Sequence, residues 1–236
     1  MPAWAEMEKY MKVTWLTQAG LLFRNDRITV LVDPYLSDEC KENGDRKIPA
    51  DNSFFEVEPD VILITHSHPY HLDKATLDKF LCRTDKEITV LAGGAAYKKL
   101  RSYGYSHNIV LLTPHTVWSE GGLTFYSVKA EHSERDAVGF ILDDGEKTYY
   151  VSGDTLYNFD VIDDCLDLVE DGVDYAFLPI NGRGNNMNAK DAADFAYEIG
   201  AKAAIPIHYG LFDDVDPDDF DFDDRMIVNP YEEVEL

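Results

Sequence analysis

Short apolar runs separated by polar stretches recur along the whole chain, and their spacing alternates between that of strands and that of helices. Residues Lys12–Thr17, Gly20–Phe23 and Ile28–Asp33 read as strands, the last two joined by a tight polar turn at Asn25-Asp26. Asp33-Pro34 breaks the pattern, and the polar residues from Ser37 to Asn52, with Gly44 and Pro49, predict a long loop. Val61–Thr65 is a wholly apolar run ending in Thr, the signature of a strand buried on both faces. Asp73 is a good N-cap for a helix through about Leu81. Beyond it the pattern predicts a strand at Ile88–Leu91, a helix at Gly94–Tyr103 and a strand at Ile109–Leu112.

From Thr116 the character changes to a meander. Leu123–Lys129, Ala137–Leu142 and Thr148–Val151 are strand candidates linked by turn signals at Gly121-Gly122 and Asp143-Asp144-Gly145. A second alternation follows: helix at Phe159–Val169, strand at Tyr175–Leu178, helix at Ala189–Ile199 and strand at Ala203–Ile207, with a last strand candidate at Met226–Val228. No linker, low-complexity stretch or fixed-period repeat divides residues 1–236, so one domain is expected. This order of elements suits two packed sheets with helices outside, an α/β layered fold.

Charge narrows the function classes. The 236 residues carry 45 acidic against 21 basic side chains, a net charge of −24. That field repels phosphate backbones and anionic lipid headgroups, so neither nucleic acid nor a membrane surface is an expected partner. A small molecule is, since a bound cation can reverse the potential locally; self-association into a homo-oligomer is left open. Cys40, Cys82 and Cys165 are odd in number and widely spaced, which suggests neither a disulfide framework nor a thiolate zinc site. Cys82 and Cys165 sit in helix-like apolar patterns and are expected to be buried. The acidic N-terminal residues do not resemble a signal peptide, and no apolar run reaches the length of a membrane span, so a cytoplasmic protein is expected.

The chemistry concentrates at strand ends. His66, His68 and His71 fall within six residues just beyond the buried Val61–Thr65 run. His132 and His208 also sit at or just after apolar runs, as does Asp154 in Val151-Ser152-Gly153-Asp154-Thr155. Strands deliver side chains to a sheet edge in this way. A single His-x-His pair is common on protein surfaces, but three histidines in six residues are not. Imidazole suits borderline divalent cations, and histidines at i and i+2 beyond a strand can chelate one ion. Asp73 can cap its helix or hold a ligand imidazole in one tautomer.

This run, His66-x-His68-x-x-His71-x-Asp73, resembles the signature of the metallo-β-lactamase superfamily. Within it the chain is similar to the L-ascorbate-6-phosphate lactonase-like branch, through Leu31-Val32-Asp33-Pro34, Gly153-Asp154-Thr155, Pro179-Ile180-Asn181-Gly182-Arg183-Gly184 with Asn188, and Pro206-Ile207-His208-Tyr209. The resemblance runs from about Lys12 onward and implies a four-layer αββα sandwich with its site at the shared edge of two sheets. It implies that His66, His68 and His132 bind one metal, that Asp154 bridges, and that His71 and His208 hold a second. It also implies that zinc is the usual ion, with manganese or iron in some members, and that a water acidified by the cations attacks an ester, lactone, amide or phosphodiester.

The chain departs from that pattern at Tyr70, where the family's second metal ligand is normally an aspartate. A neutral phenol is a poor ligand, so one tight site and a weaker second site are expected. Tyr70 could instead hydrogen-bond the attacking water or the substrate, and it joins Asp154 and Asp73 as a candidate catalytic residue. Arg183 and Asn181 lie in a loop rich in donors and are candidates for substrate binding; Asn188 reads as a helix N-cap. His115 reads as structural, His107 as a loop histidine, and Glu131 and Arg135 as rim residues. Asp213–Asp224 holds eight aspartates in twelve residues without calcium-loop spacing and reads as a solvated, mobile surface segment. The expectation is a metal-dependent hydrolase of a small polar ester, lactone or sugar-derived substrate. Its alternatives are a phosphodiesterase on the same scaffold, or a non-catalytic metal-binding or sensing protein.

Overall fold

The computed structural model describes residues 10–40, 42–169 and 171–236. One sheet holds β1 (Lys12–Trp15), β2 (Leu21–Arg24), β3 (Thr29–Val32), β4 (Val61–Ile64), β5 (Thr89–Ala92), β6 (Asn108–Leu111) and β13 (Glu233–Glu235), in the order β13-β1-β2-β3-β4-β5-β6. The other holds β7 (Val117–Glu120), β8 (Leu123–Lys129), β9 (Val138–Asp143), β10 (Thr148–Val151), β11 (Tyr175–Pro179) and β12 (Ala203–Ile207), in the order β12-β11-β10-β9-β8-β7. Both sheets are mixed. Hairpins build the antiparallel parts except the β13–β1 pair, while β3 to β6 and β10 to β12 run parallel. The helices are α1 (Lys74–Leu81), α2 (Gly94–Tyr103), α3 (Phe159–Leu166) and α4 (Ala189–Glu198), with short 3₁₀ helices at Asn52–Glu56 and Pro217–Asp219.

The layers follow from the two-residue period of the strands. Val61 and Leu63 of β4 face the second sheet, whereas Ile62 and Ile64 join Leu77, Phe80, Ala96 and Leu100 of α1 and α2. Between the sheets the Phe23 ring packs edge-on against Phe177 at 5.4 Å and Tyr149 at 5.9 Å. Tyr150, the next residue of β10, points the other way and stacks on Phe195 of α4 at 6.1 Å. The result is an α-β-β-α sandwich. Truncating a ring such as Phe23 in the middle of it costs about 3–5 kcal/mol.

Local chemistry explains most boundaries. Asp73 caps α1, Asn158 caps α3 and Asn188 caps α4, each accepting a backbone N–H of the first turn. Gly121 and Gly122, both at positive φ, close the β7–β8 hairpin as a two-residue loop of the type whose twist matches the strands.

Three expectations are corrected, and strands β7 and β13 were not anticipated. Met226–Val228 is no strand: only Arg225 bridges to Ala204, and the last strand is the acidic β13, held by pairing with β1. Cys82 lies exposed at the C-cap of α1, while Cys165 is buried as expected. The aspartate-rich segment is not loose, because Phe220 and Phe222 bury into the core and Arg225 donates to the Asp218 and Phe220 carbonyls. β7, with a single aromatic in a half-exposed run, carried too weak a pattern to be anticipated. No helix among the described residues is long and apolar enough to cross a membrane.

Candidate metal centre

The C-terminal ends of β3, β4, β10, β11 and β12, with the end of β8, open onto one edge of the sandwich. They carry Asp33, His66, Asp154, Asn181, His208 and His132 in turn. Beyond β4 the chain turns back on itself across Pro69-Tyr70, with His71 N and Leu72 N both donating to His68 O. This brings His66, His68 and His71 into one cluster. Ser67 in the middle is braced from outside: its N–H and hydroxyl donate to the Glu134 carboxylate, and Lys99 donates to its carbonyl.

One ligand atom each from His66, His68 and His132 lie within 4.8 Å of one another, and so do atoms from His66, His71 and Asp154. His66 therefore belongs to both groups. His68 Nδ1 faces His132 Nε2 at 3.2 Å. Asp154 Oδ1 stands 3.3 Å from His71 Nε2 and 3.2 Å from His208 Nε2. It makes an aligned hydrogen bond with neither, and His66 Nε2 is likewise buried without a partner. Buried polar atoms left bare cost free energy, and here they converge on one point. Nitrogen and carboxylate donors converging in this way fit a divalent cation of the zinc type.

The imidazoles are aimed by groups behind them. Thr65 donates both its N–H (2.8 Å) and its hydroxyl (2.5 Å) to the Asp33 carboxylate. The Thr65 oxygen, its proton committed to Asp33, can accept from His66 Nδ1 at 3.0 Å. Asp33 Oδ2 also accepts from His71 Nδ1 at 2.7 Å. Asn185 O lies 3.3 Å from His132 Nδ1. Each contact places the proton on Nδ1 and leaves Nε2 facing the centre. The backbone is bent to make this fit: Asp33 (φ 40°) and His208 (φ 61°) adopt left-handed conformations unusual for such residues. Gly153, at φ 61°, lets the Asp154 turn lie on Thr65, where any Cβ would sit 2.9 Å from two side-chain carbons.

Proton affinities differ across the cluster. Burial pushes His66 well below the ordinary imidazole range, helped by the neighbouring imidazoles, and burial also lowers His132. His71 goes the other way: burial opposes its charge, but Asp154 and Asp33 outweigh burial and raise it to about 10. Burial would raise the Asp154 pKa, yet His208, His71 and His66 hold it well below the usual carboxylate range.

A cavity of about 540 Å³ opens over these groups, walled by Gln18, Asn43, Asn181, Arg183, Asn186 and Phe212 among others. Arg183 stands exposed on its rim. Tyr70 also lines the cavity, but its hydroxyl accepts from Asn43 N at 2.7 Å and its ring packs on Tyr35 and Phe212. Asp73 lies with its carboxylate on Thr76, as a helix cap; the carboxylate on a cluster imidazole is Asp33. Asn181 lies against His208. His115 pairs with Asp164 and His107 bridges Leu81 O and Ile88 N, both away from the cluster. Sequence reasoning passed over Asp33, Thr65, Glu134 and Gln18, although Asp33 ends a strand on the same sheet edge.

Comparison with known proteins agrees with this geometry. Residues 29–209 match the β-lactamase superfamily domain. A UPF0173 metal-dependent hydrolase from Methanopyrus kandleri is 31% identical over 229 residues, covering 90% of each chain. Another from Carboxydothermus hydrogenoformans is 29% identical over 243 residues, covering 96% of this chain and all of that one. Among solved structures, the metallo hydrolase Igni18 from Ignicoccus hospitalis superposes with a TM-score of 0.78 at 19% identity, covering 96% of this chain and 98% of that one, a likeness of fold. The chain belongs to the β-lactamase superfamily, among its metal-dependent hydrolases.

Proposed function

We propose that the chain hydrolyses a small polar ester, lactone or sugar-derived substrate in the cavity above the cluster, as the lactonase-like resemblance of its motifs implies. The observation that carries this reading is the convergence of His66, His68, His132, His71 and Asp154, with bare donor atoms, on the floor of an open cavity. His66, His68 and His132 would hold one cation, zinc by the chemistry of the donors. Asp154 with His71 and His208 would hold a weaker second one. A divalent cation there supplies Lewis-acid polarisation of a substrate oxygen and acidifies a water. The protein's own part is positional. Asp33 and Thr65 fix the faces of His71 and His66, the Asn185 carbonyl fixes His132, and Arg183 at the rim receives a carboxylate or other polar acceptor of the substrate. The acidic surface favours a neutral or mildly anionic substrate over a heavily phosphorylated one.

Tyr70 supports a second reading, a metal-binding protein without turnover. Its hydroxyl is committed to the Asn43 backbone, and no carboxylate stands in its place. Zinc-replete protein assayed on lactones, aryl esters and phosphodiesters separates the two. Hydrolysis of a lactone or aryl ester by the unmodified chain is the expected result. No turnover on any of them, together with turnover gained by Tyr70→Asp, sinks the hydrolase reading in favour of the second.

A further inference from the structure

His208 is the one imidazole at the second position whose rear nitrogen has no acceptor. His66, His71 and His132 each turn Nδ1 toward an oxygen: Thr65 Oγ1, Asp33 Oδ2 and Asn185 O. His208 Nδ1 instead faces the Asn181 carboxamide nitrogen at 2.9 Å, while Asn181 Oδ1 is buried with no partner at all. Gln18 Nε2 lies 3.2 Å from both ring nitrogens and so does not choose between them. Two tautomers compete. With the proton on Nε2, Nδ1 accepts from Asn181, but the proton aims at nothing: Asp154 Oδ1, only 3.2 Å away, gains no aligned hydrogen bond. With the proton on Nδ1, a half-turn of the carboxamide brings the orphaned Oδ1 onto it, and Nε2 turns a lone pair to the cavity floor. The oxygen and nitrogen of a carboxamide are nearly the same shape, so the half-turn needs no other movement.

We infer that Asn181 is a positioning residue that sets the tautomer of His208, its carboxamide oxygen accepting the Nδ1 proton so that Nε2 is free to bind a cation beside Asp154. Asn181 does with a neutral amide what Asp33 does for His71 with a carboxylate. Its loop is built to hold it: Asn181 bridges to Asn188, Gly182 N donates to Met187 O, and Met187 N donates to Thr155 O in the Asp154 turn. His208 N in turn donates to Gln18 O, which fixes the ring's own backbone. The inference rests on the metal-centre reading above.

Zinc alone, titrated into metal-free full-length protein against a competing chelator, gives the affinity of each equivalent. Long-range ¹⁵N–¹H correlation spectra report the tautomer of each imidazole directly, without any assay of activity. In the zinc-loaded native chain His208 carries its proton on Nδ1. Asn181→Leu weakens the second equivalent by about 10–100-fold, the range for loss of a group behind a metal ligand, and leaves the first within about twofold. Asn181→Asp, which keeps an acceptor, restores the second. An Nε2 proton on His208 in the zinc-loaded native chain overturns the inference, and this readout needs no variant to fold. So does an unchanged second equivalent in Asn181→Leu. A native chain that takes one equivalent with His208 unperturbed also overturns it and leaves the hydrolase reading standing. A chain that takes none overturns the metal centre itself.

Discussion

The two halves of the centre are made of different chemistry. His66, His68 and His132 form an all-imidazole group in which burial and mutual repulsion keep His66 and His132 neutral. The half around His71 and Asp154 is buried and threaded with carboxylates: Asp154 in front, Asp33 behind. Neutral imidazoles are ready for a cation at neutral pH. A carboxylate-flanked imidazole already holds a proton there, and Tyr70, bonded to Asn43 N, brings no carboxylate to it. On the reading proposed above, the first half fills more tightly than the second.

His66 is where the comparison is easiest to break, since it contributes to both groups. His66→Ala is expected to lose the first zinc equivalent, to weaken the second beside it, and to lower turnover by more than the 10–100-fold that loss of an outer partner causes. His68→Ala, by contrast, spares the half around His71 and Asp154. Metal content after dialysis decides, and equal losses in the two variants would show that the halves are not separable.

Asp33→Asn comes next. The carboxylate orders Thr65 and His71 at once, and its replacement leaves a poorer acceptor behind His71. A 10–100-fold weaker second equivalent is expected with the first less affected, together with a lower melting temperature from the disturbed buried network. Equal weakening of both equivalents in a zinc titration would move Asp33's effect from His71 to the Thr65–His66 side.

Protons sharpen the contrast. His71, raised to about 10, is protonated at pH 7 in the metal-free chain and must release that proton to become a ligand. His66 and His132, lowered, have none to release. Filling the first half therefore draws no proton from His66 or His132 at pH 7, while filling the second expels about one from His71. Second-site affinity falls as pH drops and levels off only above about 10. Calorimetry in buffers of different ionisation enthalpy measures both numbers, and equal proton release from the two equivalents would contradict the assignment.

How much of this could be read from the sequence depended on how local the cause was. Strand β4 with its histidines, the Asp73 and Asn188 caps and the Asp143-Asp144-Gly145 hairpin rest on contacts within a few residues, and all are visible in the pattern. β13 was not visible because Glu233–Glu235 is acidic and becomes a strand only by pairing with Lys12–Thr14. The Met226–Val228 run misled for the converse reason: it is apolar and lacks a strand partner beyond the bridge at Arg225. In the site, ligand types were legible, but the groups aiming them were not. Asp33 stands 38 residues before His71, and its role depends on β3 and β4 lying side by side. The only trace in the chain was a carboxylate at a strand end, followed by Pro34.

The smallest effect lies outside the centre and serves as its control. His115, on the loop before β7, pairs with Asp164 of α3, which also accepts from Lys129 N. The hydrogen bond and charge of Asp164 raise the His115 pKa above its ordinary value. A group whose folded pKa is raised contributes its stability below the unfolded pKa and loses it as pH rises through the folded value. The native chain should therefore exceed His115→Gln in stability by this increment at about pH 6, and the difference should shrink by pH 8. The imidazole is half exposed, so solvent screening holds the effect to about 0.5 kcal/mol or less. Urea melts of the two chains at both pH values measure it. His71 also binds a proton in the metal-free state, and stability falls on its account from the ordinary imidazole range up to about pH 10, but in both chains alike, so only their difference reports His115. A difference between native and His115→Gln that persists undiminished at pH 8 would mean that packing, not the proton, makes the contact. Zinc affinity should be the same in both chains, because α3 and the centre share no ligand.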